Sequence, residues 1–222
     1  MCPRIKICCI QSAAEAALAI DHGASAIGLV SAMPSGPGVI SEAAIARIAG
    51  TVPPPIATFL LTSEHDALAI IAQQRRCGTN TLQLVDYVSA DVYPRLREEL
   101  PGISLVQVVH VTGPEAVDYA ASVAAEVDAL LLDSGNPKLT VKQLGGTGRT
   151  HDWTLSRQIR DAVAVPVFVA GGLTAANVGE AIAVVQPFGL DVCSGVRADG
   201  HLDSAKLRDF FDAVQKANRA KC

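Results

Sequence analysis

Aromatic residues make up only 4% of this 222-residue chain, with a single tryptophan. That scarcity leaves few faces on which nucleic-acid bases could stack. No charge of one sign accumulates either: 18 Lys and Arg against 22 Asp and Glu give a net charge of −4, and the basic residues are scattered. The pattern excludes a nucleic-acid surface or a polybasic membrane surface, so we expect neither as a partner. No apolar run approaches the ~18 residues that a membrane span needs. The opening MCPRIKICCIQSAAE has no long apolar stretch before a cleavage site, and no signal peptide is expected. The six cysteines (Cys2, Cys8, Cys9, Cys77, Cys193 and Cys222) show neither C-x-x-C spacing nor a small-scaffold framework. They read as reduced thiols in a cytoplasmic protein. The five histidines include no H-x-x-x-H pair, and no metal site is expected.

What is abundant is aliphatic. Half of the chain is hydrophobic, and its bulk is Ala, Val, Ile and Leu, the material of parallel strands buried on both faces. In order, Arg4 to Ile10 has a strand's content, with Lys6 and Cys8 on one face and Ile5, Ile7 and Cys9 on the other. Ser12-x-x-Glu15 has capping-box spacing before a helix that Gly23 stops. Ala26 to Val30 is a second strand, followed by a helix begun by Ser41. Ile56 to Leu61 then leads to a helix started by Ser63-x-x-Asp66, and Thr81 to Val85 to a helix from Asp91. Ser104 to Val111 precedes a helix opened by Pro114. Val165 to Ala170 precedes a helix over Thr174 to Val185, and Leu190 to Cys193 a last helix carrying Leu207, Phe210, Phe211 and Val214. About eight strand–helix units of roughly 28 residues are the count and size of an α/β (β/α)₈ TIM barrel. We expect one domain over residues 1–222. An open doubly wound sheet is the alternative, although it more often carries a dominant glycine-rich turn after its first strand.

The stretch DALLLDSGNPKLTVKQLGGTGRTHDW, Asp128 to Trp153, organises the rest. A buried-strand run delivers Asp133 where it stops. A loop follows with Lys138, Lys142 and Gly145-Gly146-Thr147-Gly148, and Asp152 and Trp153 lead into a helical segment, Leu155 to Val163. A carboxylate at a strand's carboxyl end, then a glycine-rich loop and a helix, is how parallel α/β proteins build active sites. With the bulky aliphatics under the helices, Lys6, Cys8 and Asp133 point into the barrel. A thiol and a carboxylate at one rim can serve as base and acid across one substrate. The last two strands end in Gly171-Gly172 and Ser194-Gly195, neighbouring turns whose backbone N–H groups suit a phosphate.

These residues resemble the phosphoribosylanthranilate isomerase family of tryptophan biosynthesis over essentially the whole length. The likeness rests on Lys6-Ile7-Cys8, Gly23 to Gly28 and Leu131-Leu132-Asp133-Ser134. It continues through Gly145 to Gly148 with Asp152-Trp153, Ala170 to Thr174 with Asn177-Val178, and Asp191 to Val196. The resemblance implies a cofactor-free Amadori rearrangement of an aminoaldose phosphate to an aminoketose phosphate. It makes Cys8 the general base at the sugar C2 proton and Asp133 the general acid at the ring oxygen. Phosphate contacts fall on Gly171, Gly172, Ser194 and Gly195. Further substrate contacts are expected from Lys6, which could supply charge beside Cys8, and from Gly146, Thr147, Gly148 and Arg149. The partner is then a phosphorylated sugar, and the protein a monomer or homodimer.

Five positions depart from the family pattern. Cys9 stands where the family has Gly, Gly38 where it has the arginine that holds the anthranilate carboxylate, Val85-Asp86 where it has His-Gly, and Arg197 where it usually has Glu. On this reading Arg149, or secondarily Arg197, replaces the lost cation, and Gly38→Arg raises kcat/KM if neither does. Two other classes stay open: another phosphate-binding barrel such as an aldolase or epimerase, and a barrel that binds a phosphorylated ligand without turnover.

Overall fold

The computed structural model describes residues 2–135, 144, 148 and 150–219. Eight parallel strands close into a barrel in sequence order: β1 Arg4–Ile7, β2 Ala26–Val30, β3 Ala57–Thr62, β4 Thr81–Leu84, β5 Ser104–His110, β6 Ala129–Asp133, β7 Val167–Val169 and β8 Gly189–Val192. Each is followed by a helix: α1 Ala13–Asp21, α2 Glu42–Ala49, α3 Ala67–Cys77, α4 Val92–Glu99, α5 Glu115–Val123, α6 Trp153–Ala162, α7 Val178–Val185 and α8 Ser204–Arg219. The open-sheet alternative fails at one place. β1 pairs with β8 through Arg4↔Gly189, Ile5↔Leu190, Lys6↔Asp191 and Ile7↔Val192, which leaves no free edge.

The strands bury both faces, yet the faces differ. Ile5, Ile7, Ile27, Leu60, Leu130 and Leu190 belong to the layer between strands and helices. Cys8, Ala26, Phe59, Leu131, Phe168 and Ala170 belong to a second cluster inside the barrel. Larger aliphatics therefore pack under the helices, and the narrower interior takes small, aromatic and polar side chains. Among the described residues no helix is long and apolar enough to cross a membrane.

Helix starts follow local hydrogen bonding, and two of them differ from expectation. Ser12 caps α1 by accepting from the Glu15 N–H at 3.1 Å. For α3 the cap is Asp66, which accepts from the Ala69 N–H at 3.0 Å, so the helix opens at Ala67 and Ser63 lies outside it. The helix expected from Thr174 opens only at Val178. Asn177 accepts from the Thr174 N–H at 2.8 Å and donates to the Gly172 carbonyl at 2.9 Å, bracing residues 172–177 as a loop. An Asx side chain that satisfies nearby backbone offers it an alternative to the helix.

Candidate active site

At the carboxyl ends of the strands lies a cleft of about 670 Å³, counting the solvent at its open mouth. Cys8 from β1, Asp133 from β6, and Gly171, Gly172 and Ser194 from the loops after β7 and β8 all line it, as does Gly148. The fold thus gathers onto one rim residues up to 186 positions apart in sequence. Gly146, Thr147 and Arg149 lie outside the described residues, with Gly145, Lys138 and Lys142.

Lys6 is fully buried beneath the cleft. Its Nζ donates to Asp191 Oδ1 at 2.9 Å and to Cys8 Sγ at 3.5 Å, and it stands 5.1 Å from the centroid of the Phe59 ring. Burial opposes its charge, but the Asp191 carboxylate, with Cys8 adding to it, wins and holds the lysine above its ordinary value. Asp191 itself is raised by burial, with Lys6 pulling against it. Those two directions conflict for one contact. We take the pair as ionised, because a lysine this strongly held protonated at 2.9 Å needs the anion opposite. Space for the arrangement comes from Gly28 on β2, where a Cβ would lie 2.8 Å from Cys8 Sγ and 3.0 Å from Lys6 Nζ.

Asp133 is buried at the end of β6 and accepts from the Ser134 N–H at 2.7 Å. Burial raises its carboxyl above the usual range, against the pull of His110, Ser134 and Lys6. A carboxyl that keeps its proton beyond the ordinary range is suited to donate it. His110 pairs with Asp133 across β5 and β6 and directs Nε2 at the Val85 carbonyl, 2.9 Å away. Asp191, Gln83 and His110 were not singled out from the sequence. Asp191 could have been, since it alternates with outward Leu190 and Val192 as Lys6 does with Ile5 and Ile7. Gln83 lines the cleft, and its buried Oε1 has no partner among the described residues, an acceptor available to a ligand.

Four sequence readings are corrected. Cys9 does not join Ile5 and Ile7: the strand ends at Ile7, and φ of 62° at Cys9 turns its side chain into the inner cluster. Arg197 is not available to a carboxylate or phosphate. It pairs with Glu15 at 3.0 Å, donates to the Gly200 carbonyl at 3.0 Å, and reaches the carbonyls of Cys8 and Cys9. Gly195, expected at the phosphate, is not among the residues that line the cleft. A Cβ there would collide with the backbone carbonyl of Leu173, so glycine is what lets the loops after β7 and β8 touch. Finally, Gly38 has φ of 80°, and a Cβ on it would lie 2.5 Å from Cys9 Cβ, so it is no simple vacancy for an arginine.

A closed parallel barrel with a carboxyl raised by burial and an ammonium-flanked thiol on its functional rim is equipped for acid–base work on a small molecule. Which barrel family this is follows from comparison with known proteins. Residues 5–213 match the model of the N-(5'phosphoribosyl)anthranilate (PRA) isomerase family. The N-(5'-phosphoribosyl)anthranilate isomerase 2 of Methanosarcina mazei is 36% identical over 219 residues, 98% of this chain and 94% of its own. The Haloferax volcanii N-(5'-phosphoribosyl)anthranilate isomerase is 35% identical over 219 residues, 98% and 95% of the two chains. Among solved structures, the phosphoribosyl anthranilate isomerase of Thermotoga maritima superposes with a TM-score of 0.80 at 28% identity, covering 96% of this chain and 99% of that one. Another such enzyme, in complex with reduced 1-(o-carboxyphenylamino)-1-deoxyribulose 5-phosphate, superposes at 0.77 with 26% identity, over 96% of this chain and 99% of that one. The chain belongs to the phosphoribosylanthranilate isomerase family.

The buried pair generates a stability test. Lys6→Met strands the Asp191 carboxylate and should cost about 3–5 kcal/mol, whereas Lys6→Met with Asp191→Leu removes both charges and should recover most of that loss. Urea unfolding measures both. A double variant no more stable than the single one would show that the two groups do not act as a pair.

Proposed function

We propose that this chain converts N-(5'-phosphoribosyl)anthranilate to its aminoketose by an acid–base Amadori rearrangement in tryptophan biosynthesis, as a cytoplasmic enzyme folded as one unit. The observation that carries the reading is Cys8 and Asp133 lining one cleft from opposite sides of the barrel, with Lys6 Nζ 3.5 Å from the sulfur. In this reading the raised Asp133 carboxyl gives its proton to the ring oxygen as the sugar opens. Cys8 then takes the C2 proton, and the nearby Lys6 ammonium stabilises negative charge on its sulfur. The sugar phosphate sits against the turns at Gly171-Gly172 and Ser194, with Gly195 as the joint that holds those turns together. Gly171 and Gly172 adopt φ of 78° and 61°, conformations that favour glycine. Gln83 offers its unpartnered oxygen to a sugar hydroxyl.

A second reading is favoured by one observation. Gly38 cannot present a side chain beside Cys9, and the described residues lining the cleft include neither Lys nor Arg. On that reading the same rearrangement acts on a phosphorylated aminoaldose whose amine substituent lacks the carboxylate. Comparing kcat/KM for the anthranilate substrate and its aniline analogue separates the two.

On phosphoribosylanthranilate, Cys8→Ser and Asp133→Asn should each lower kcat by about 10²–10⁴-fold with the barrel intact by circular dichroism. Full activity of Cys8→Ser would remove the base assignment.

Asp133 also sets a pH-dependent stability. Its folded value is raised, so the unfolded chain ionises first as pH climbs, and the stability present below the ordinary carboxylate value is lost until the raised value is passed. Asp133→Asn escapes that loss. Its stability relative to the parent should therefore increase between pH 4 and pH 8 in denaturant titrations. A constant difference would contradict the raised value.

Gly38→Arg should lower activity rather than raise it. Left-handed backbone and overpacking against Cys9 each cost roughly 1–3 kcal/mol. Cys9→Gly in the same chain removes the nearer contact and leaves one of 2.9 Å to the Cα at position 9, so it should recover part of the loss, and thermal melts of the single and double variants are the check. Equal melting of the two would show that Cys9 does not exclude a side chain at position 38.

A further inference from the structure

Three thiols meet at the cleft, and the rearrangement uses one. Cys8, Cys9 and Cys193 all line it. The β1–β8 ladder runs on past its last pair, with the Cys8 N–H donating to the Val192 carbonyl at 2.9 Å, so Cys8 and Cys193 come next in register and Cys9 stands one residue further on. The positive φ of Cys9 turns its thiol inward, where it makes hydrogen-bonding contact with the thiols of both Cys193 and Cys8. Cys9 is held there: the backbone of Gly38 packs against its Cβ, and Arg197 grips its carbonyl. Cys193 is the more open of the three, partly exposed where Cys8 and Cys9 are buried.

We propose that Cys9 and Cys193 form a peroxide-reactive dithiol that closes to a disulfide beside the catalytic rim. Cys193 sulfur attacks the distal oxygen of a hydroperoxide. The O–O bond breaks, the leaving oxygen takes a proton, and the thiol becomes a sulfenic acid with one alcohol or water released. Cys9 sulfur then attacks that sulfenic sulfur, the S–O bond breaks, and water leaves with the Cys9 proton. In sum two thiols are oxidised by two electrons to one disulfide and the hydroperoxide is reduced.

The charges at rest favour this order. The Cys9 S–H, with help from the Arg197 guanidinium, lowers the Cys193 thiol against the effect of burial. Contact with Cys193 and Cys8, together with burial, pushes Cys9 up, so the shared proton stays on Cys9. Thiolate character and exposure are what select a thiol for oxidation. Contact sets the partner: the Cys193 thiol meets that of Cys9, while adjacent residues hold their Cα atoms about 3.8 Å apart, shorter than the roughly 4.4–6.8 Å a disulfide prefers, which disfavours Cys8–Cys9. Bonding draws the two sulfurs to about 2.05 Å and moves the chain next to Cys8 and to Ser194.

The test treats the full-length reduced protein with hydrogen peroxide, then alkylates free thiols and maps peptides by mass spectrometry without reduction. We expect a mass lower by two hydrogens, a Cys9–Cys193 link, and a fall in kcat/KM of about 10- to 100-fold, the scale of a misplaced reacting group, reversed by dithiothreitol. Cys9→Ser and Cys193→Ser, each compared with its own reduced form, should lack the link. A link that includes Cys8, Cys193 recovered only as sulfinic acid, or inactivation with no Cys9–Cys193 link would each overturn the proposal. The activity arm rests on the isomerase reading, but the mass arm does not, so an inactive reduced protein would refute that reading and leave the dithiol to be judged on its own.

Discussion

One ion pair sits where the barrel closes. Lys6 and Asp191 are register partners across β1 and β8, and their side chains meet at 2.9 Å inside the barrel. Two charges removed from water gain little net stability even when paired, but either one alone is severely penalised. The pair therefore acts on register more than on total stability. Slipping β8 by one residue would turn Asp191 toward the helices and leave the ammonium without an anion. Because the same ammonium lies 3.5 Å from Cys8, the contact that fixes the seam also fixes the environment of the proposed base.

Burial surrounds both proposed proton-transfer groups, and their neighbours differ. At Asp133 it keeps the proton on, with the nearby positive groups only partly undoing the effect. At the thiol, a cation retained by its own buried partner is the dominant neighbour. Most interior polar groups at the rim are thus paired, whereas among the described residues Gln83 Oε1 and His110 Nδ1 have no partner. Native interiors seldom leave such an atom without a use.

Much of this was legible in the sequence, for a simple geometric reason. Period-two alternation put Lys6, Cys8 and Asp133 on inner faces, and it held because the strands really are regular at those positions. It failed at Cys9, one residue beyond the ladder, where a positive φ ends the alternation. Arg197 was misjudged because its partner Glu15 lies 182 positions away, and no local pattern announces that contact. Gly38 read as a deletion of function when its backbone is shaped by Cys9. The late start of α7 escaped because Asn177 was read as part of a motif and not as a cap.

The clamp at Arg197 has a consequence for the order in which the protein can mature. A chain leaves the ribosome from its N-terminus, so Lys6, Cys8 and Glu15 emerge well before Asp191 and Arg197. Until those last residues arrive, β1 has no β8 to pair with, its lysine has no anion, and the carbonyls of Cys8 and Cys9 lack their donor. Such distant pairings are the slow contacts in folding. The nascent polypeptide thus carries the proposed base in a solvated, unassembled segment until Arg197 has been made, and the rim becomes complete only when stretches synthesised far apart in time are brought together.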